Sequence, residues 1–171
     1  AGGKYKDQFV GTIGDLGCFS FEEKKNMTSG DGGMITSMDE DLIEEIKKIR
    51  WCGIDRDTWK RIKTQKIGES DPMHWYYEVP KLGCKYTMND LSAAIGLTQL
   101  KKLDFMNTDR TDPLTNFIDA LKAIDGIELG LDYNLKNSSY MLFFVRVPNR
   151  HKFINHLTLQ GVSTGVNYMT I

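Results

Sequence analysis

The stretch GDLGCFSFEEKKNMTSGDGG, Gly14 to Gly33, decides how the rest of the chain is read. Cys18, Phe19 and Phe21 form a short apolar run, and a polar turn carrying Lys24 and Lys25 follows it. Gly30 to Gly33, Gly-Asp-Gly-Gly, then turns the chain into a second apolar run, Met34-Ile35-Thr36. The pattern predicts a β-hairpin with a lysine pair on its connecting loop. Lysines in turns are mostly solvated, and composition alone favours that bland reading. The sharper reading is that a lysine held between two core strands loses water. Its pKa then falls, and the free amine becomes a nucleophile toward aldehydes.

With 171 residues the chain is long enough for one ordinary domain or two small ones with a real core. Its 22 basic and 23 acidic residues balance, so nothing points to nucleic acid or to an anionic membrane. No apolar run reaches transmembrane length, and AGGKYKDQ at the start has no signal-peptide core. Cys18, Cys52 and Cys84 are odd in number and far apart, which suits reduced thiols in a cytoplasmic protein. His74, His151 and His156 share no metal-ligand spacing with them, so no metal is expected. There is no initiator methionine, and the chain closes on GVSTGVNYMTI; both ends read as cuts through a larger protein.

Outward from the central stretch, Phe9 to Ile13 reads as a short strand before it. Asp39-Glu40 opens a helix on which Leu42, Ile43, Ile46 and Ile49 recur at helical spacing, with Lys47, Lys48 and Arg50 at its end and Gly53 stopping it. Residues 53 to 82 follow neither period and carry Trp59, Trp75, Tyr76 and Tyr77. That composition predicts a loop packed on a partner surface. Asn89 or Asp90 caps a helix bearing Leu91, Ala94, Ile95, Leu97, Leu100 and Leu103, and its Ser92, Ala93, Ala94 and Gly96 allow close approach by a neighbour. A further helix is expected over Asp109 to Ile124, interrupted early by Pro113. Gly126 to Asn137 reads as loop with one short strand. Then come a strand over Ser139 to Val147, a helix over Asn149 to Gln160 and a strand over Val162 to Tyr168, together a small α/β unit.

Two segments carry a family resemblance. G-D-x-x-x-F-S-F-x-x-x-K-N-(apolar)-T-x-G-(D/E)-G-G, at Gly14 to Gly33, resembles the cofactor-lysine segment of the DegT/DnrJ/EryC1/StrS sugar-nucleotide aminotransferases. Gly83 to Leu100 resembles the family's G-(Y/F)-(N/K)-Y-x-M-x-(D/N)-(apolar)-x-A-A-(I/L)-G-L-x-Q-L, and Trp75 to Val79 resembles its W-x-Y-(E/D)-V. The resemblance implies an α/β fragment of the aspartate-aminotransferase (fold type I) fold. Residues 1–108 would complete the large cofactor domain, and 109–171 would begin the small C-terminal one. It also implies a pyridoxal 5′-phosphate (PLP) cofactor, with amino transfer, typically from glutamate, onto a keto carbon of a nucleotide-linked sugar. A homodimer with the active site at its interface is implied as well.

Aligned on Ser20-Phe21, the family's PLP lysine falls on Lys25 rather than Lys24, and Ser20 becomes the hydroxyl facing the cofactor phosphate. Lys85 stands where the family reaches the phosphate of the other subunit's cofactor; a surface lysine flanked by Cys84 and Tyr86 is the alternative. Tyr168 matches a tyrosine near the substrate, but Asn167 and Thr170 depart from the motif, and a core or interface tyrosine is the competing reading. The family's remaining cofactor contacts align before Ala1. Two rivals follow: a fragment that only binds or assembles, with core exposed beside the hairpin, and a dehydratase of the same family. Lys25 argues against the dehydratase, because that branch carries histidine in its place.

Overall fold

The computed structural model describes residues 1–55, 75–130 and 138–168. Trp59 and most of the irregular 53–82 stretch lie outside the described residues, as do 131–137 and 169–171. The chain forms two compact units, Ala1–Leu103 and Asp104–Ile171.

The first unit is built on the expected hairpin. Strand β3, Gly17–Ser20, pairs antiparallel with β4, Gly33–Thr36, in the register Gly17↔Thr36 to Ser20↔Gly33. Phe21 stands just beyond the strand, where its N–H donates to the Gly32 carbonyl at 2.8 Å and prolongs the pairing by one bond. Gly30 and Gly32 both hold positive φ, as a tight return requires, and the Asp31 carboxylate accepts from the Gly32 N–H at 2.8 Å.

Before the hairpin, Lys4–Tyr5 (β1) pairs antiparallel with Gln8–Phe9 (β2). The strand expected over Phe9 to Ile13 is therefore not formed. Only Phe9 belongs to a strand, and residues 10–13 bend away from it. The bend brings Gly11 under the Phe19 ring and against the backbone of Gly17, where no side chain on either glycine would fit.

Helix α1, Glu40–Arg50, starts at an Asp39 cap whose carboxylate accepts from the Leu42 N–H. Acidic residues occupy its first turn and Lys47, Lys48 and Arg50 its last, in the sense that the helix dipole favours. It ends as expected around Gly53, at φ +76°, whose N–H reaches back to the Lys48 carbonyl at 2.9 Å. Helix α2, Asp90–Leu100, is capped by Asn89, which accepts from the Ser92 N–H. Helix α3, Leu103–Lys122, follows. It starts earlier than expected and runs through Pro113 without interruption: a proline forfeits one backbone bond, and the rest of a long helix can carry that loss.

In the second unit Ile118 of α3 is buried, and the Phe117 and Phe143 rings pack with centroids 4.9 Å apart. Strand β5, Glu128–Leu129, pairs antiparallel with β6, Val145–Arg146. Helix α4, Arg150–Leu159, is capped by Asn149. The strand expected over Ser139–Val147 shrinks to Val145–Arg146, and residues 162–168 form no strand at all. Apolar composition alone does not make a strand: the backbone must also find ladder geometry, which among the described residues is formed at Val145–Arg146.

Candidate active site

The loop between β3 and β4 is the core of the first unit rather than an excursion from it. Phe21 and Met27 are buried with Leu103, and Phe19 and Met88 pack against them. Asn26 and Ser29 are buried beside them, Ser29 at 1% exposure. The Phe21 carbonyl accepts from the Ser29 N–H at 3.0 Å and from the Thr28 hydroxyl at 3.1 Å. These bonds close residues 22–28 into a small loop whose neck is the end of the hairpin. The Ser29 hydroxyl donates to the Asp31 carbonyl at 2.6 Å, and Thr28 Oγ1 accepts from the Gly30 N–H.

Helix α2 seals the other side. Its buried Gly96 faces Ser29 so closely that a Cβ there would lie 3.4 Å from the Ser29 side chain. Of the small residues of that helix, Gly96 is the one that meets Ser29, at the end of the lysine loop.

Within this frame the two lysines differ. Lys24 is exposed, whereas Lys25 is half-buried and is followed at once by buried Asn26 and Met27. The Lys25 N–H donates to the Glu22 carbonyl at 3.0 Å, and the Glu22 carboxylate accepts from the Lys24 N–H at 3.1 Å. Both contacts are to the main chain. Among the described residues no carboxylate forms an ion pair with the Lys25 amine. Ser20 ends β3 at the neck of the same loop; its exposed Oγ accepts weakly from the Glu22 N–H at 3.4 Å, which leaves the O–H free to donate. One element therefore carries both an amine and a hydroxyl donor, the groups needed to hold an aldehyde and part of a phosphate. That donor set fits PLP.

Lys85 lies on a separate feature of the same unit. The segment 84–86 pairs antiparallel with the end of α1 through the bridge Trp51↔Lys85. The Cys84 N–H donates to the Ile49 carbonyl, the Cys52 N–H to Cys84, and the Tyr86 N–H to Arg50. Gly53 and Gly83 lie back to back at this junction, and a Cβ on either would collide with backbone of the facing segment. The Lys85 Nζ sits 3.8 Å from the centroid of the Trp51 ring. Sequence reasoning missed Trp51: it stands far from Lys85 in the chain, and only the pairing of the two segments brings them together.

Tyr168 is exposed in an irregular segment of the second unit. The three cysteines are free thiols, and among the described residues no cluster of histidine, cysteine and acidic groups could hold a metal. No helix among them is long and apolar enough to cross a membrane.

Comparison with known proteins bears on family and fold. The DegT/DnrJ/EryC1/StrS aminotransferase family matches residues 1–171. The uncharacterized protein MJ1066 of Methanocaldococcus jannaschii is 35% identical over 99% of this chain and 44% of its own length. The spore coat polysaccharide biosynthesis protein SpsC of Bacillus subtilis is 34% identical over 85% of this chain and 36% of its own. Among solved structures, Spr1654 of Streptococcus pneumoniae, described as a candidate sugar aminotransferase and captured in its PMP form, superposes with a TM-score of 0.77. It is 26% identical over 96% of this chain and 42% of its own. The chain thus spans less than half the length of these relatives. Its fold is the mixed α/β fold of the corresponding part of a fold-type-I enzyme. The chain belongs to the DegT/DnrJ/EryC1/StrS aminotransferase family.

Proposed function

We propose that this chain is part of a PLP-dependent aminotransferase that moves an amino group, with glutamate as donor, onto a keto-sugar nucleotide. The observation that carries the reading is the Lys25 loop. A half-buried lysine whose amine has no ion-pair partner among the described residues stands on a loop whose base is core, and Ser20, whose hydroxyl is free to donate, ends the strand that leads into that loop. Family membership supports the same chemistry, as does the structural likeness to Spr1654, which is also known in a PLP form. PLP, when bound, supplies the electron sink that stabilises negative charge at the carbon losing its proton.

In this reading Lys25 holds the cofactor through its amine and, once displaced by an amino donor, serves as the base that carries the proton. Ser20 donates its hydroxyl to the phosphate, and Lys85 brings a cation to a phosphate across a dimer interface. The packing of Asn26, Met27 and Ser29 fixes the backbone from which Lys25 projects, which keeps the amine in one place through both roles. Residues 1–108 belong to the large cofactor domain and 109–171 to the small one, and self-association runs through residues 53–88. A cytoplasmic setting accords with the free thiols.

A second reading, a portion that assembles rather than catalyses alone, is favoured by the exposure of Met34 and Ile35 on the hairpin and of Leu91, Ile95, Leu97 and Leu100 on α2. One experiment separates the two. The purified chain is mixed with PLP, reduced with borohydride, and the modified lysine mapped by peptide mass. Labelling confined to Lys25, and lost in Lys25→Ala, is expected. Labelling scattered over the surface lysines would overturn the catalytic reading for this chain.

A further inference from the structure

Trp51 and Lys85 oppose one another across an antiparallel bridge. The flanking bonds run from the Cys52 N–H to the Cys84 carbonyl at 3.1 Å and from the Tyr86 N–H to the Arg50 carbonyl at 2.9 Å. That arrangement makes Trp51 and Lys85 a non-hydrogen-bonded pair, the type whose side chains approach most closely on one face. The ammonium lies over the indole at 3.8 Å, well inside cation–π range. Lys85 itself is exposed, and the ion pairs among the described residues, Lys47–Glu44, Lys48–Glu45, Lys81–Glu45 and Lys122–Asp119, leave it out. The indole Nε1 is buried with no hydrogen-bond partner among the described residues. The ring is therefore held by what packs on it and not by a bond of its own.

We propose that Trp51 is a positioning residue that holds the Lys85 ammonium ready for a phosphate group, an inference that rests on the phosphate role assigned to Lys85 above. A lysine reaching into solvent must give up rotamer freedom when it takes an anion. The indole face meets part of that cost beforehand. It does so without neutralising the charge, whereas a carboxylate partner would have to be displaced by the incoming phosphate. All three ammonium N–H groups stay on a full positive charge. The back-to-back glycines Gly53 and Gly83 keep the two segments too close for the pair to separate.

The test compares inorganic phosphate binding, followed by 31P NMR titration, in the unaltered chain and in Lys85→Met, Trp51→Leu and Trp51→Phe, each checked for folding by circular dichroism. Binding by the unaltered chain and its loss in Lys85→Met are expected. Trp51→Leu, which keeps bulk without a π face, weakens binding about three- to fivefold. Trp51→Phe recovers most of it, since it keeps an aromatic face and removes the orphaned N–H. Displacement by pyridoxine phosphate or by a nucleoside diphosphate tells which carrier brings the phosphate, and either supports the pair as its site.

Unchanged binding in Trp51→Leu, alongside loss in Lys85→Met, overturns the role of Trp51 and leaves that of Lys85 standing. Equal losses in the two Trp51 variants also overturn it, because packing alone would then explain them. Unchanged binding in Lys85→Met, or none in the unaltered chain, removes the phosphate role from Lys85 and Trp51 together. The assignment of Lys25 stands or falls separately, by the labelling experiment.

Discussion

Replacing Gly83 by alanine tests how closely the end of α1 and the 81–86 segment are joined. The added Cβ would collide with the Gly53 nitrogen and the Ile49 carbonyl oxygen, and would lie 3.0 Å from the Cys52 carbonyl carbon. All three are main-chain atoms, so no side chain can swing aside. Relief requires the segments to part, which lengthens the Cys84-to-Ile49 bond of 2.9 Å and the Cys52-to-Cys84 bond of 3.1 Å. Weakening two backbone bonds costs about 0.5–1.5 kcal/mol each. Overpacking adds about 1–3 kcal/mol. Together the expected loss is roughly 2–6 kcal/mol.

Gly14→Ala is the internal control. Its Cβ would find nothing nearer than the Leu16 carbonyl oxygen at 4.0 Å, so it should be close to neutral or slightly stabilising. Urea unfolding of both variants, fitted at a common slope, gives the difference directly. A Gly83→Ala loss below about 0.5 kcal/mol, indistinguishable from Gly14→Ala, would refute the close apposition and with it the fixed Trp51–Lys85 geometry.

Phe21→Ala, at a position buried with Met27 and Leu103 at the neck of the lysine loop, should cost about 3–5 kcal/mol. A urea midpoint near that of the unaltered chain would show that the loop is not core. Tyr76 donates to the Glu78 carboxylate at 2.9 Å, and this bond, reinforced by the carboxylate's charge, raises the phenol above its ordinary pKa. Because the folded value is the higher one, any stabilisation is fully present below the unfolded tyrosine pKa and fades as pH rises through the folded one. Glu78→Gln should therefore lower the titration of one tyrosine in an ultraviolet pH titration. An unchanged curve would contradict the bond.

The parts of this molecule legible in its sequence are those that depend on short-range chemistry. Asp39, Asn89 and Asn149 announce their helices because a cap bonds an N–H three residues on. The hairpin is legible because Gly30 to Gly33 can turn only one way between two apolar runs. Strands that need distant partners are not legible. SSYMLFFVRV has the composition of a long strand, yet among the described residues its strand covers Val145 and Arg146, paired with Glu128 and Leu129. The same split runs through the candidate site. Ser20 ends β3 and Lys25 stands on the loop that follows it, so sequence spacing alone puts both on one element. The ring beneath Lys85 belongs to the far end of another element, and nothing local to Lys85 names it.

The neck at Phe21 has a consequence for how such a site can diverge. Its carbonyl takes the Ser29 N–H while its own N–H goes to Gly32, so the hairpin is complete without reference to what lies between. Adding or deleting a residue in the 22–28 segment would leave every β3–β4 partner in place and still move the Lys25 amine relative to the Ser20 hydroxyl. The sheet keeps its own register, and the chemistry keeps another. Because Asn26 and Met27 of that segment are buried, such a change would also disturb the core that the loop builds, even while the strand register holds.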